Sequence, residues 1–445
     1  MQRRVTIVGA GLAGCEAAWQ AARRGLDVTL LEMKPAHFSP AHREPAFAEL
    51  VCSNSLRAAG LGNAVGLLKE EMRRLCSLVM AVADETAVPA GRALAVDRIA
   101  FSRRITETLE SHPRIEVRHE LVSRIPRDGR TILASGPLTA PELADDLRRT
   151  IGEEYLYFYD AISPIVYADS IDMDVAFRAS RWEEGEGDYL NLALDAAAYD
   201  RFVDALLAAE TVPLHAFEAA LYFEGCLPIE EMARRGRDTL AYGPMKPVGL
   251  RDPRGAERPR AVVQLRQEDK RGVLYNLVGF QTKMRVGEQQ RVFRGLPGLA
   301  DAVFARYGSV HRNTYLNAPT KLDPHLALRA LPEVHVAGQL AGVEGYVESA
   351  ALGLLAGVFA SFLEHGLEPP RPAATTAHGA LLRHLGDADP GRFQPMNVNY
   401  GLFPPLAAPG ALARRLRKPE KNAALAARAL DDLAGFASAA EALVA

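Results

Sequence analysis

The chain has 445 residues, 48% of them apolar and 24% charged, which suits two packed domains and excludes disorder over its whole length. Its 52 basic and 55 acidic side chains leave a formal charge of −3, so any RNA contact needs a local basic face rather than a global field. The four cysteines (Cys15, Cys52, Cys76, Cys226) form no CxxC pair and no zinc-like spacing, so neither a metal nor a disulfide is expected.

The N-terminus passes from Met1, Gln2 and Arg3 straight into a strand, without the apolar segment and cleavage site of a secretory signal. Residues Arg4 to Val8 read as that strand, Gly9 to Gly14 as a glycine turn, Cys15 to Arg24 as an alanine-rich helix and Val28 to Glu32 as a second strand, a complete βαβ unit. Leu67 to Leu75 reads as an amphipathic helix. Arg130 to Gly136 and Glu333 to Gly338 each read as a short buried strand ending in glycine, later strands of the same sheet.

Between them, from about Ile171 to Pro324, the texture changes to aromatic and alternating segments such as Ala261 to Arg266 and Val273 to Phe280. The expected architecture is α/β: a Rossmann-like dinucleotide-binding domain made discontinuously of residues 1–170 and 325–445, with an α+β domain inserted at 171–324. The longest apolar run, Ala350 to Leu363, falls short of the roughly 20 residues of a membrane span. Asn422 to Ala445 reads as a helix packing back on the first domain. A cytoplasmic protein without a membrane segment or an evident obligate protein partner is expected.

In VGAGLAG (Val8 to Gly14), Gly9 allows a tight turn, Gly11 lets the backbone approach a pyrophosphate and Gly14 permits close packing of helix on strand. Ala10, Leu12 and Ala13 complete the turn, whose helix N-terminus suits a phosphate. Glu32 lies 18 residues after Gly14, at the end of the second strand, where a carboxylate accepts from ribose hydroxyls. FAD and NAD both fit this fingerprint. FAD is favoured by the mid-chain strand end at Ala134, Ser135 and Gly136 and by the late strand end at Ala337, Gly338 and Gln339, because FAD spans more of the fold. In the segment that follows, Gly342, Glu344, Gly345 and Tyr346 precede a small-residue helix, whose backbone N–H groups suit a flavin pyrimidine carbonyl; close helix packing is the alternative reason for its glycines.

Cys52 precedes the polar cluster Ser53, Asn54, Ser55, which favours a turn or helix start, and Cys226 sits just before Pro228 and a helix expected from Ile229. Both boundaries suit a reactive thiolate. Cys15 and Cys76 are expected to be inert, buried sulfur.

The chain carries VGAGLAG at Val8, PAH at Pro40, VCSNSLR at Val51, VPAG at Val88, ALAVDR at Ala93, GPLT at Gly136, YDAISPIV at Tyr159, GPMKPVGL at Gly243, VVQLRQEDK at Val262, HRNTYLNAP at His311, AGVEGY at Ala341 and FQPMN at Phe393. In these motifs, spread over nearly its whole length, the sequence resembles the bacterial folate- and FAD-dependent tRNA uracil-5-methyltransferases. The resemblance implies that 5,10-methylenetetrahydrofolate gives its one-carbon unit to flavin N5, that NAD(P)H supplies electrons, and that C5 of the T-loop uridine becomes methylated to 5-methyluridine, the T-arm of tRNA being the partner. Uracil C5 is a poor nucleophile until a thiolate adds to C6, and the resemblance maps that thiolate onto Cys226. Cys52 matches the family's other functional cysteine, which removes the C5 proton or holds the transferred carbon.

The same mapping sends His311, Asn313 and Tyr315 to the folate or substrate side, and Arg266 and Lys270 to the folate glutamate tail or tRNA phosphates. A solvated charged face or a domain junction is the alternative for these positions. Arg234, Arg235 and Arg237, the run Arg251 to Arg260, and Arg414, Arg415, Arg417, Lys418 and Lys421 are candidate RNA contacts. The competing readings are a wobble-uridine-modifying tRNA flavoenzyme, an RNA-binding flavoprotein without methyltransferase activity, and a small-molecule flavin oxidoreductase.

Overall fold

The computed structural model describes residues 3–152, 156–183, 185, 187–213, 227–250, 252, 258–406 and 416–444. The strand Arg4–Val8 lies at the centre of a six-stranded sheet, with Asp27–Glu32 and then Ile115–His119 on one side. On its other side come Arg130–Leu133, Leu331–Val336 and the short Ala327–Leu328. All pairings are parallel except that of the last strand. Val5, Ile7 and Val8 are buried, as a parallel sheet covered on both faces requires. The α/β class and the βαβ opening are as the sequence predicts.

The helix Leu12–Arg23 starts directly after Gly11 and packs against the long helix Tyr346–Glu364. Small residues bring the two axes close: a Cβ on Gly353 would stand 2.1 Å from the carbonyl oxygen of Ala13, and one on Gly357 would stand 2.7 Å from that of Ala17. By length and composition the 19-residue helix Tyr346–Glu364 could cross a membrane, contrary to the shorter apolar run expected, because Tyr346 to Ser349 extend it. Yet 83% of its apolar window is buried inside the protein, so it serves as a core helix.

The chain between these parallel strands builds a second six-stranded sheet, wholly antiparallel, in the order Phe177–Arg178, Tyr189–Leu194, Ala261–Gln267, Leu274–Leu277, Ile165–Tyr167, Phe304–Arg306. Its own core gathers Leu192, Val263, Phe280 and Phe293 under the helices Ala196–Leu207 and Val286–Phe293. An antiparallel ribbon of Leu156–Ile162 with Ser309–Tyr315 brackets this sheet in sequence. A small sheet of Ser55–Ala58, Ala93–Val96 and Ala87–Val88 stands beside the first core. The C-terminal helix Lys418–Glu441 packs back through Leu425, Ala429, Leu433 and Phe436 into that core.

Candidate functional site

The glycine turn closes as its residue types demand. Gly9 has φ +98°, and a Cβ there would lie 2.7 Å from the carbonyl oxygen of Ala134; a Cβ on Gly14 would lie 1.8 Å from that of Gly9. Gly11 differs, because a Cβ built on it meets nothing within 4 Å, which leaves the turn open on the ligand side. The buried Glu32 carboxylate accepts from the backbone N–H of Ala10 at 2.7 Å and of Lys34 at 3.0 Å, tying the second strand to the turn. Its remaining lone pairs are available to hydroxyl donors. An open glycine, a helix N-terminus and this carboxylate together fit a dinucleotide.

From this turn a cavity of about 460 Å³ runs past Gly136, Gly338, Gln339, Glu344 and Gly345 to Cys52, Arg266, His311 and Asn313. Gly9, Ala10, Leu12, Ala13, Glu32 and Tyr346 also line it. Gly14 and Gly342 do not: Gly14 packs on Gly9, and Gly342, with φ +95°, makes room for the Phe393 ring. Gln339 donates its side-chain amide to the Glu344 carboxylate.

Cys52 sits in a bend before the strand Ser55–Ala58, a turn and no helix start, because the chain goes on into that strand. Tyr346, the first residue of the long helix, brings its hydroxyl to this bend. The hydroxyl donates to Cys52 Sγ at 3.1 Å and accepts from the Cys52 backbone N–H at 2.7 Å. Burial, then the neighbouring Cys52, push the Tyr346 phenol well above its ordinary range, so it stays protonated and donating. Behind the bend, Arg266 donates through Nε to Asn54 Oδ1 at 2.9 Å and through a terminal nitrogen to Ser53 Oγ at 2.6 Å. Arg98 caps the same loop by donating to the Leu50 carbonyl while pairing with Glu268 at 2.7 Å.

His311 and Asn313 come from one face of the ribbon strand Ser309–Tyr315. Burial, then the charges of Arg306 and Arg43, lower His311 to about 4. The ring is therefore neutral and bonds Ser309 Oγ through Nε2 at 2.9 Å. His42, also in the cavity wall, is likewise lowered to about 4, by burial and then by Lys34, Arg306 and His311.

Besides Gly14 and Gly342, two further expected site residues fall elsewhere. Tyr315 lies outside the cavity wall, its ring 6.1 Å from that of Phe393 and its phenol pushed up to about 12 by burial. Lys270 is beyond the end of the strand carrying Arg266; its ammonium donates to the Glu85 carbonyl at 3.1 Å and its backbone N–H to Asp97. Cys226 lies outside the described residues, as do Arg251, Arg254, Arg414 and Arg415; the helix expected from Ile229 is present at Ile229–Arg234. Cys15 is buried as expected, and burial holds its thiol far above the usual range. Cys76 is exposed instead, at φ +56°, because its carbonyl, not its sulfur, is what the core uses: it accepts from Trp19 Nε1 at 3.0 Å. Among the basic clusters, Arg234, Arg237, Arg260 and Arg417 each pair with a neighbouring carboxylate.

Sequence reasoning passed over His42, Arg98 and Arg57. Arg57, at φ +63°, lines the cavity and pairs with the fully buried Glu348. Both Arg57 and Arg98 stand inside recurrent motifs, but only the fold reveals what they touch.

The family model for glucose inhibited division protein A matches residues 4–368. A relative from Desulforudis audaxviator, named methylenetetrahydrofolate--tRNA-(uracil-5-)-methyltransferase TrmFO, is 58% identical over 98% of this chain and 98% of its own. A protein of the same name from Geotalea uraniireducens is 59% identical over 98% and 99%. Among solved structures, Aquifex aeolicus GidA in its form II crystal superposes with a TM-score of 0.68 at 15% identity, covering 98% of this chain and 73% of that one.

Proposed function

Because the chain belongs to the glucose inhibited division protein A family and, within it, to the methylenetetrahydrofolate--tRNA-(uracil-5-)-methyltransferases, we propose that it methylates C5 of the T-loop uridine of tRNA in the cytoplasm, with carbon from 5,10-methylenetetrahydrofolate and electrons from NAD(P)H. The observation that carries this reading is the single cavity joining a dinucleotide cradle to the Cys52 thiol and to His311 and Asn313. FAD, when bound, supplies the redox relay between NAD(P)H and the folate-derived carbon.

Gly9, Gly11 and the N-terminus of the helix Leu12–Arg23 would hold its pyrophosphate and Glu32 its ribose, while Gly345 and Tyr346 would face its ring. Residues 1–170 with 325–445 then act as the cofactor domain and 171–324 as the substrate domain. The neutral His311 ring offers a flat, uncharged face to a pterin, and the Asn313 amide offers both a donor and an acceptor to its edge. Arg266, itself in the cavity wall, holds Ser53 and Asn54 so that the Cys52 bend keeps its shape.

On the resemblance, the Cys226 thiolate adds to uracil C6, C5 then bonds the folate-derived methylene, loss of the C5 proton expels the thiolate and restores the ring, and a hydride equivalent from NAD(P)H turns the methylene into methyl as its bond to the carrier nitrogen breaks. Cys52, with the Tyr346 hydroxyl on its sulfur, is the group suited to receive that proton. The 58% and 59% identities to proteins named for uracil-5 methylation favour this reading over a wobble-uridine enzyme.

The test is methyl incorporation into unmodified tRNA by the purified protein with methylenetetrahydrofolate and NAD(P)H, beside Cys226→Ala and Cys52→Ala. Incorporation that needs folate, is lost in Cys226→Ala and maps to the T-loop uridine is expected. Dependence on S-adenosylmethionine, or methylation at the anticodon, would overturn the assignment.

A further inference from the structure

Away from the cavity, Trp182 is 66% exposed, although burying an indole is one of the largest apolar gains open to a fold. It is not loosely held. Its backbone sits at φ +63°, a left-handed conformation that a bulky residue adopts only under constraint, and its N–H donates to the Gly249 carbonyl at 3.0 Å. The indole lies against Gly249 itself, where a Cβ would stand 2.8 Å from the ring. The absence of a side chain at 249 therefore lets the ring press flat on backbone, fixing one face and leaving the other to solvent.

Two arginines line the same cleft. Arg181 is fixed by donating to Gln264 Oε1 at 2.9 Å and to the Val248 carbonyl at 2.6 Å. Arg92 comes from the turn between the strands Ala87–Val88 and Ala93–Val96, 76% exposed and 3.9 Å from the Glu183 carboxylate, a loose pair that a phosphate can displace. The cleft measures about 340 Å³. It adjoins the main cavity: Gln264 lines the cleft and Arg266 the cavity, on the same face of one strand and about 7 Å apart. On a second strand, Arg57 lines the cavity and the adjacent Ala58 the cleft.

A rigid, exposed indole sharing a cleft with two guanidinium groups is an arrangement that takes an unpaired nucleobase on the ring and its phosphates on the arginines. We propose that Trp182, Arg92 and Arg181 form a stacking platform for an unpaired tRNA nucleotide flanking the target uridine. This rests on the tRNA reading above and adds to it where a neighbouring base is held while the target enters the cavity. The platform serves affinity and register rather than chemistry, so its loss shows in tRNA binding and not in turnover.

The experiment measures the affinity of the intact protein for an unmodified tRNA transcript by filter binding, together with kcat at saturating tRNA and KM for methylenetetrahydrofolate. Trp182→Ala should bind tRNA about tenfold more weakly, with kcat and the folate KM unchanged, and Trp182→Tyr should recover most of the loss. Arg92→Ala, at an exposed side chain, should lower the slope of log affinity against log salt by about one. Wild-type affinity in Trp182→Ala, or a change in folate KM with tRNA affinity intact, overturns the platform. A wild type that binds and methylates tRNA beside an unaffected Trp182→Ala sinks the platform alone, whereas a wild type that binds no tRNA sinks the functional reading with it.

Discussion

The hydroxyl of Tyr346 bonds both the sulfur and the backbone N–H of Cys52, across 294 residues of sequence. One side chain thus fixes the position of a thiol and offers its anion a donor. Because the phenol is held protonated, it cannot compete with that sulfur for a proton near neutral pH.

Tyr346→Phe removes the donor and keeps the ring. Without it the Cys52 thiolate loses a charge-assisted hydrogen bond, so methyl transfer should fall about tenfold and its acid limb should move to higher pH. Alkylation followed by peptide mass analysis reads the thiol directly, with the exposed Cys76 as internal control. Cys52 should react more slowly at pH 7 in the variant while Cys76 is unchanged; equal rates at Cys52 would show that the hydroxyl does not tune the sulfur.

Gly11 and Gly14 should separate ligand binding from folding. A methyl group on Gly14 collides with the Gly9 carbonyl oxygen at 1.8 Å, so Gly14→Ala should lower the melting temperature and lose FAD together. Gly11→Ala meets no protein atom and should fold normally, yet come off the column colourless because the methyl occupies the approach of the pyrophosphate. A yellow Gly11→Ala protein would place the cofactor elsewhere.

Arg266→Ala leaves Ser53 and Asn54 without their buried cation, at a cost of about 2 kcal/mol. Loss of kcat should exceed what that loss of stability explains, because the bend carrying Cys52 slackens. Arg266→Lys should recover little, as an ammonium does not reproduce the two-pronged contact. Urea unfolding and steady-state rates on the same preparations separate the two effects.

His42, His311 and His335 are each lowered from 6.5 to about 4, burial being the largest cause. Since the unfolded chain binds these protons first, their contribution is present above pH 6.5 and is lost as the pH falls from there through about 4. The fully buried His335 accepts from Arg130 through Nε2 at 3.2 Å and donates through Nδ1 to the His325 carbonyl at 2.9 Å, a pattern that only the neutral ring satisfies. In His335→Gln the slope of unfolding free energy against pH in this window should flatten by up to about 1.4 kcal/mol per pH unit. An unchanged slope would show that this ring is not what acid attacks.

What the sequence made legible is what chain neighbours determine. The opening βαβ unit, the separate duties of Gly9, Gly11 and Gly14, and the alternating strand Ala261–Gln267 follow from spacing and side-chain size alone. Tyr346 stood out by position, as an aromatic at a glycine-rich helix start, but nothing local links it to Cys52. Arg266 and Asn54, 212 residues apart, meet only because the antiparallel sheet lies against the Cys52 bend. Lys270 looked equivalent to Arg266 in LRQEDK, yet the strand ends between them and sends the lysine to Glu85. Cys76 misled for a related reason: the helix before it is amphipathic, but a left-handed residue turns the sulfur outward.

The close contact of the helices Leu12–Arg23 and Tyr346–Glu364 has an electrostatic corollary. Ala13 meets Gly353 and Ala17 meets Gly357, so the two helices run side by side in the same direction, and both begin at the cavity. Aligned neighbouring dipoles repel, each presenting about half a positive charge at its start. Two positive helix starts therefore face this cavity, and Glu348 is the one acidic residue in the first turn of either helix. An anion settling there relieves a repulsion built into the backbone, so binding should tighten the whole core and not merely occupy a hole in it.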